Sequence, residues 1–182
     1  MNFIETRIKD LIIVEPNVFG DNRGWFSESY NEAVFTKSGI NIKFVQDNHS
    51  YSAQKGVLRG LHFQNNPFAQ TKLVRCTRGR IWDVAVDLRK SSPTYMQWFG
   101  LELSADNHKM LLVPQGFAHG FVTLENDSEV QYKVDNIYDK ASDRSIKYND
   151  PTIGINWTLT DVILSDKDLK APLLKDSDVN FI

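Results

Sequence analysis

Between Gly56 and Val134 the chain alternates short apolar runs with turn residues so regularly that few folds can accommodate it. Thr71–Thr77, Ile81–Leu88, Met96–Leu103, Met110–Val113, Gly116–Leu124 and Glu129–Val134 each have the length of a strand. Asp-Asn, Pro-Gln-Gly and Glu-Asn-Asp clusters separate the later ones. Ile81–Leu88 alternates cleanly, with Trp82, Val84, Val86 and Leu88 on one face and Asp83 and Asp87 on the other. Arg78-Gly79 reads as the turn of a hairpin joining this run to Thr71–Thr77. Many short strands with few crossovers predict an all-β antiparallel sandwich or barrel with a few short helices.

The chain before Gly56 adds one helix. Leu11–Val14 is a short apolar run closed by Pro16, turn residues follow at Gly20–Asn22, and Gly24–Tyr30 reads as a strand. Asn31–Gly39 has an Asn at the N-cap, Ala33, Val34 and Phe35 as its apolar stripe, and Gly39 as its stop. Ile42–Ser50 is extended again. The tail from about Pro151 carries Pro172 and scattered charges, and is expected to wrap the core as loops and short helical turns.

At 182 residues one domain over 1–182 is expected. With 41% hydrophobic and 24% charged residues, disorder and membrane spans are disfavoured. The formal charge of −2 supplies no global field for nucleic acid, so an anionic ligand has to be held by a local cluster of cations. A single cysteine, Cys76, excludes a disulfide within the chain and reads as a buried small apolar residue. The N-terminus has no basic-then-apolar pattern, so a cytoplasmic setting is expected.

Gly56–Thr77 holds the chemistry. Arg59 and His62 fall on its first extended segment, Lys72 and Arg75 on its second. An imidazole among fixed cations is what proton abstraction beside a carbonyl needs when the substrate is tethered by phosphates. A lone strand histidine is more often structural than catalytic. Simple alternation puts Leu58, Gly60, His62 and Gln64 on one face and Arg59, Leu61 and Phe63 on the other. For Arg59 and His62 to share a pocket, a bulge near Gly60 has to re-aim one of them. Lys72 keeps the phase of Val74 and Cys76, and an inward lysine is costly unless it meets an anion. Tyr132, between Val130 and Val134, is equally readable as a core tyrosine or a site residue. Gly116 and Gly120 around His119 suggest a tight bend that turns the imidazole inward, whereas His49 and His108 read as surface residues. No metal-ligand spacing, P-loop or dinucleotide fingerprint is present.

Taken in order, the motifs resemble the dTDP-4-dehydrorhamnose 3,5-epimerase family. They are F-x-D-x-R-G-x-F at Phe19–Phe26, F-V-Q-D-N at Phe44–Asn48, L-R-G-L-H-F-Q at Leu58–Gln64 and Q-x-K-L-V-R at Gln70–Arg75. D-V-A-V-D-L-R at Asp83–Arg89, G-F-A-H-G-F at Gly116–Phe121, N-D-P-x-x-G-I-x-W at Asn149–Trp157 and L-S-x-K-D at Leu164–Asp168 complete the set. The resemblance implies a cupin-like jelly roll, a homodimer and no cofactor or metal. It makes His62 the base, Asp168 its orienting partner, Tyr132 the proton donor on the opposite side, and Lys72 the group facing the sugar oxygen. Tyr138 would stack on the thymine. Arg23, Glu28, Gln46, Asp47, Asn48, Arg59, His119, Asp143 and Lys167 match the family's substrate contacts, with Arg23 and Glu28 serving the neighbouring subunit's site. Asp143 and Gln115 depart from the pattern, which has Glu at each. The implied reaction converts dTDP-4-dehydro-6-deoxy-D-glucose to dTDP-4-dehydro-L-rhamnose by deprotonation beside the C4 ketone. A single-carbon epimerase, a non-catalytic nucleotide-sugar-binding jelly roll and a metal-dependent cupin oxygenase are the alternatives.

Overall fold

Turn residues cut the chain into thirteen strands and two short α-helices, and the central strands bury both faces, which forces them into stacked sheets. The computed structural model describes every residue, Met1–Ile182. First come β1 (Asn2–Glu5), β2 (Ile12–Glu15), β3 (Val18–Asp21), β4 (Gly24–Ser27) and α1 (Glu32–Lys37). Next are β5 (Gln46–Ser52), β6 (Leu58–Gln64), β7 (Lys72–Arg78) and β8 (Arg80–Asp87). They are followed by β9 (Trp98–Ser104), β10 (Met110–Val113), β11 (Phe117–Thr123), β12 (Ser128–Val134), β13 (Asp143–Ser145) and α2 (Asp166–Leu169). One sheet runs β1-β2-β10-β7-β12-β5 and the other β13-β6-β11-β8-β9, with β3 and β4 as a separate hairpin. Val74, Cys76, Leu111 and Val130 of the first sheet meet Ile81, Ala85, Phe117 and Phe121 of the second in a shared core. The result is a cupin-like jelly roll.

β7 and β8 do not form the hairpin expected from Arg78-Gly79. Only Gly79 separates them, too little for a two-residue hairpin loop. Gly79 instead adopts φ +70° and carries the chain from the six-stranded sheet into the five-stranded one. Nor does the chain bend at His119: β11 pairs with β8 without interruption from Phe117↔Asp87 to Thr123↔Ile81.

Both sheets are covered outside as well. Trp82, Val84, Val86 and Leu88 pack under Ile153, Trp157 and Phe181 of the C-terminal segment. The opposite face of β8 points into the sandwich, so Asp83 and Asp87 are both fully buried. On the far side, α1 starts where Asn31 Oδ1 accepts from the amides of Ala33 and Val34. Six residues are too few for a helix to stand alone. Phe35 anchors it, edge-on to Phe3 with centroids 5.0 Å apart and in one cluster with Leu73 and Leu112. Burying such a side chain contributes about 1.5–3 kcal/mol.

Candidate active site

The site begins with a misfit between two strands. From His119↔His62 to Phe121↔Arg59, β11 advances two residues while β6 advances three, so β6 bulges at Gly60 and Leu61. Gly60 has φ +144°, and a Cβ there would lie 2.6 Å from Gly120 Cα. The extra residue breaks the alternation. Leu58, Leu61 and Phe63 join the apolar core, whereas Arg59, His62 and Gln64 all line a cavity of about 560 Å³ between the sheets. Simple alternation had separated Arg59 from His62; the bulge unites them.

The five-stranded sheet supplies His62, Arg59, His119 and Asp143, and the six-stranded sheet faces them with Lys72, Tyr132 and Ser50. The C-terminal segment closes one side. Val57 and Ile163 form a parallel bridge, and Leu58 N donates to Ile163 O at 2.9 Å, which pins that segment along β6. α2 then delivers Asp168, whose Oδ1 lies 2.5 Å from His62 Nε2. Ser165 caps this helix and also donates its hydroxyl to Asp168 Oδ2 at 2.9 Å.

The electrostatics suit proton transfer. Burial raises the Asp168 pKa, but the hydrogen bond and charge of His62, the Ser165 hydroxyl and Lys167 outweigh it, leaving the carboxyl below its ordinary range. It therefore stays ionised, a fixed negative charge hydrogen-bonded to the imidazole. Burial pushes the Tyr132 phenol up, opposed by Arg59 and assisted by Asp143, so it holds its proton. Lys72 is driven down to about 8, chiefly by desolvation, although Asp83 and Asp143 pull the other way. Its Nζ makes one weak bond, to His62 O at 3.4 Å, and lies 5.9 Å from the Tyr132 ring centre. An ammonium has three protons to donate, so most of that capacity faces the cavity.

The remaining residues fall into three groups. Arg59 reaches across to Tyr51 O at 3.0 Å and Ser52 Oγ at 3.3 Å. Tyr138 lies at the mouth, its amide donating to Gln46 Oε1 and its hydroxyl to Asp143 Oδ2. Lys167 pairs with Asp143 at 2.5 Å, so the shorter carboxylate still meets a cation there. Asn48 sits opposite Tyr132 in register and receives a bond from Gln46. Asp47 pairs with Lys133, and it lines with Asn48 a smaller cavity of about 210 Å³; neither they nor Gln46 line the main one. Arg23 and Glu28 also lie outside the main cavity: Arg23 is exposed and pairs with Asp21 on the β3–β4 hairpin, and Glu28 holds Asn31.

Several contributors escaped the sequence reading. Gln64 accepts from Asp139 N and donates to Ile137 O, fixing the loop that carries Tyr138. Gln70 and Ser50 line the cavity, and Ser165 orients Asp168. The signal for Gln64 was present, since it shares the His62 face two residues on. Nothing local marked Asp83, whose Oδ1 lies 2.9 Å from His119 Nε2. No three His, Cys, Asp or Glu side chains converge as metal ligands.

Fold and cavity together define a cupin-like jelly roll with acid–base side chains facing one another across its interior. Residues 5–176 match the family described as dTDP-4-dehydrorhamnose 3,5-epimerase. The chain is 52% identical over 179 residues to the dTDP-4-dehydrorhamnose 3,5-epimerase of Shigella flexneri, covering 98% of each. A crystal structure of the Bacillus anthracis dTDP-4-dehydrorhamnose 3,5-epimerase, with TDP and PPi bound, superposes with a TM-score of 0.93 at 55% identity, covering 95% of this chain and 99% of that one. A Legionella pneumophila dTDP-6-deoxy-D-glucose-3,5-epimerase in complex with dTDP-4-keto-L-rhamnose gives 0.93 at 46% identity, with 97% and 94% covered. The chain belongs to the dTDP-4-dehydrorhamnose 3,5-epimerase family.

Proposed function

We propose that the protein epimerises dTDP-4-dehydro-6-deoxy-D-glucose at C3 and C5 to dTDP-4-dehydro-L-rhamnose. The observation that carries this reading is His62 on one sheet, backed by Asp168 of α2, facing Tyr132 and Lys72 on the other sheet. Both C3 and C5 flank the C4 ketone, so loss of either proton gives an enolate. His62 takes the proton, and Asp168 stabilises the imidazolium that results. Lys72⁺ stabilises charge developing on O4. Tyr132 then protonates the same carbon from the opposite face. The cycle closes when the imidazolium gives up its proton and the phenolate regains one from solvent, so the reaction needs no redox cofactor.

Arg59 and His119 would hold the diphosphate, Tyr138 would stack on thymine, and Gln46, Asn48, Asp143 and Lys167 would line the nucleotide-sugar path. The exposed β3–β4 hairpin, with Phe19, Trp25 and Phe26 bare to solvent, suits insertion into a second copy. A homodimer would bring Arg23 and Glu28 to the neighbour's cavity, and Asp47 would serve as a further substrate contact. In this reading residues 1–182 work as one domain in the cytoplasm.

Incubation with substrate in D₂O tests the reaction. Deuterium at both C3 and C5, read by NMR, is the expected result. Label at one carbon would make the protein a single-site epimerase, and label at neither would leave a nucleotide-sugar binder.

A further inference from the structure

Two carboxylates lie four residues apart on the inward face of β8, both fully buried. Asp87 is saturated: it accepts from the Arg89 amide and guanidinium, from Ser92 Oγ and from Thr94 Oγ1. Asp83 is not. Its Oδ1 meets His119 Nε2, while its Oδ2 has no partner in the protein. A buried carboxylate oxygen without a hydrogen bond is costly, and its retention calls for a compensating charge.

The compensating charges stand around the cavity. Lys72 is fully enclosed with a single weak bond. The groups acting on it are Asp83 on β8, Asp143 on β13, Lys167 on α2, the Tyr132 ring on β12 and the His62 carbonyl on β6. His119 faces Asp83 on one side and shares the cavity with Arg59 and His62. Among the carboxylates, Asp143 is engaged by Lys167 and Tyr138, and Asp168 by His62 and Ser165. Asp83 alone has a buried oxygen uncommitted, and it is the foremost charge favouring the Lys72 ammonium.

We propose that Asp83 is a positioning residue acting through His119 and Lys72: it orients the imidazole and is the uncommitted buried anion that favours the lysine's ammonium form. The proposal rests on the epimerase reading of that cavity. Asp83 touches no substrate; it orients the imidazole through Nε2 and opposes the loss of the lysine's proton.

Asp83→Asn keeps the side-chain shape and the oxygen facing His119 but removes the charge. Titration of Lys72 in ¹³C-lysine-labelled protein reads the effect without turnover. In the variant Lys72 should release its proton about one pH unit or more lower than in the parent. The alkaline limb of kcat/KM should move down with it, making the loss of activity about fourfold greater at pH 8 than at pH 6.5 for a one-unit shift. An unmoved Lys72 titration, or a loss equal at every pH, overturns the proposal. Absence of deuterium exchange in the parent would sink the epimerase reading instead, leaving the lysine titration to decide about Asp83. Should Asp83→Asn fail to fold, Lys72→Met/Asp83→Asn decides. Recovery of folding once the ammonium is gone supports the pairing, and failure to recover refutes it.

Discussion

Replacing Lys72 with methionine is expected to stabilise the protein at neutral pH while removing its turnover. The ammonium is enclosed, has one 3.4 Å bond, and is driven mainly by desolvation from an ordinary 10.5 to about 8. At about 1.4 kcal/mol per pH unit, that gap costs the folded state about 3 kcal/mol wherever Lys72 is charged in both states. Between pH 8 and 10.5 the unfolded chain still holds a proton that the folded chain has released, so stability rises with pH across this window. Below pH 8 the cost is present in full. Methionine has nearly the same length, carries no charge, and relieves it. Urea unfolding at pH 7 should show the variant about 3 kcal/mol more stable, equivalent to about 6–12 °C in Tm. The gain should shrink to about 2 kcal/mol at pH 9 and nearly vanish by pH 10.5. A variant less stable than its parent at pH 7, or a gain that stays constant with pH, would refute the reasoning.

Four further outcomes follow from the geometry. Asp168→Asn should leave His62 in place but lower kcat by about 10²–10⁴-fold, because the imidazolium loses its counter-charge; wild-type rates would exclude Asp168 from the mechanism. Tyr132→Phe should still exchange substrate protons with D₂O yet form little inverted product, and normal product formation would remove Tyr132 as the donor. Gly60→Ala should lower stability by about 1–3 kcal/mol or more by calorimetry, since its Cβ would strike Gly120 in a backbone conformation that alanine disfavours. Trp25→Ser/Phe26→Ser on the exposed hairpin should shift sedimentation toward monomer and reduce activity; an unchanged oligomeric state would dissociate the hairpin from assembly.

What could be read in the chain followed how local each cause was. Asn31 caps α1 because its side chain serves amides only two and three residues ahead. The Gly60 bulge was legible because two functional side chains three apart cannot share a strand face without it. Lys72 announced itself by sharing the phase of buried Val74 and Cys76. Longer-range causes were hidden. Arg78-Gly79 resembles a hairpin turn, and only the sheet assignment of its flanking strands shows it to be a corner. Asp83 sits in an alternating pattern that usually means one wet face, but the C-terminal segment covers the other side, leaving the carboxylate inside. The contact of Asp168 with His62 spans 106 residues, and only resemblance pointed to it.

The proposed base His62 and acid Tyr132 belong to different sheets, so nothing in the backbone of either strand fixes how far apart they stand. That separation is gauged by filler between the sheets: Val74, Cys76, Ile81, Ala85, Phe117 and Phe121 act as shims between two plates. A methylene added or removed there alters the gap without touching any group that meets the ligand. Stereochemical reach across a hexose ring is thereby adjustable from the interior, through residues that a survey of the cavity wall would pass over.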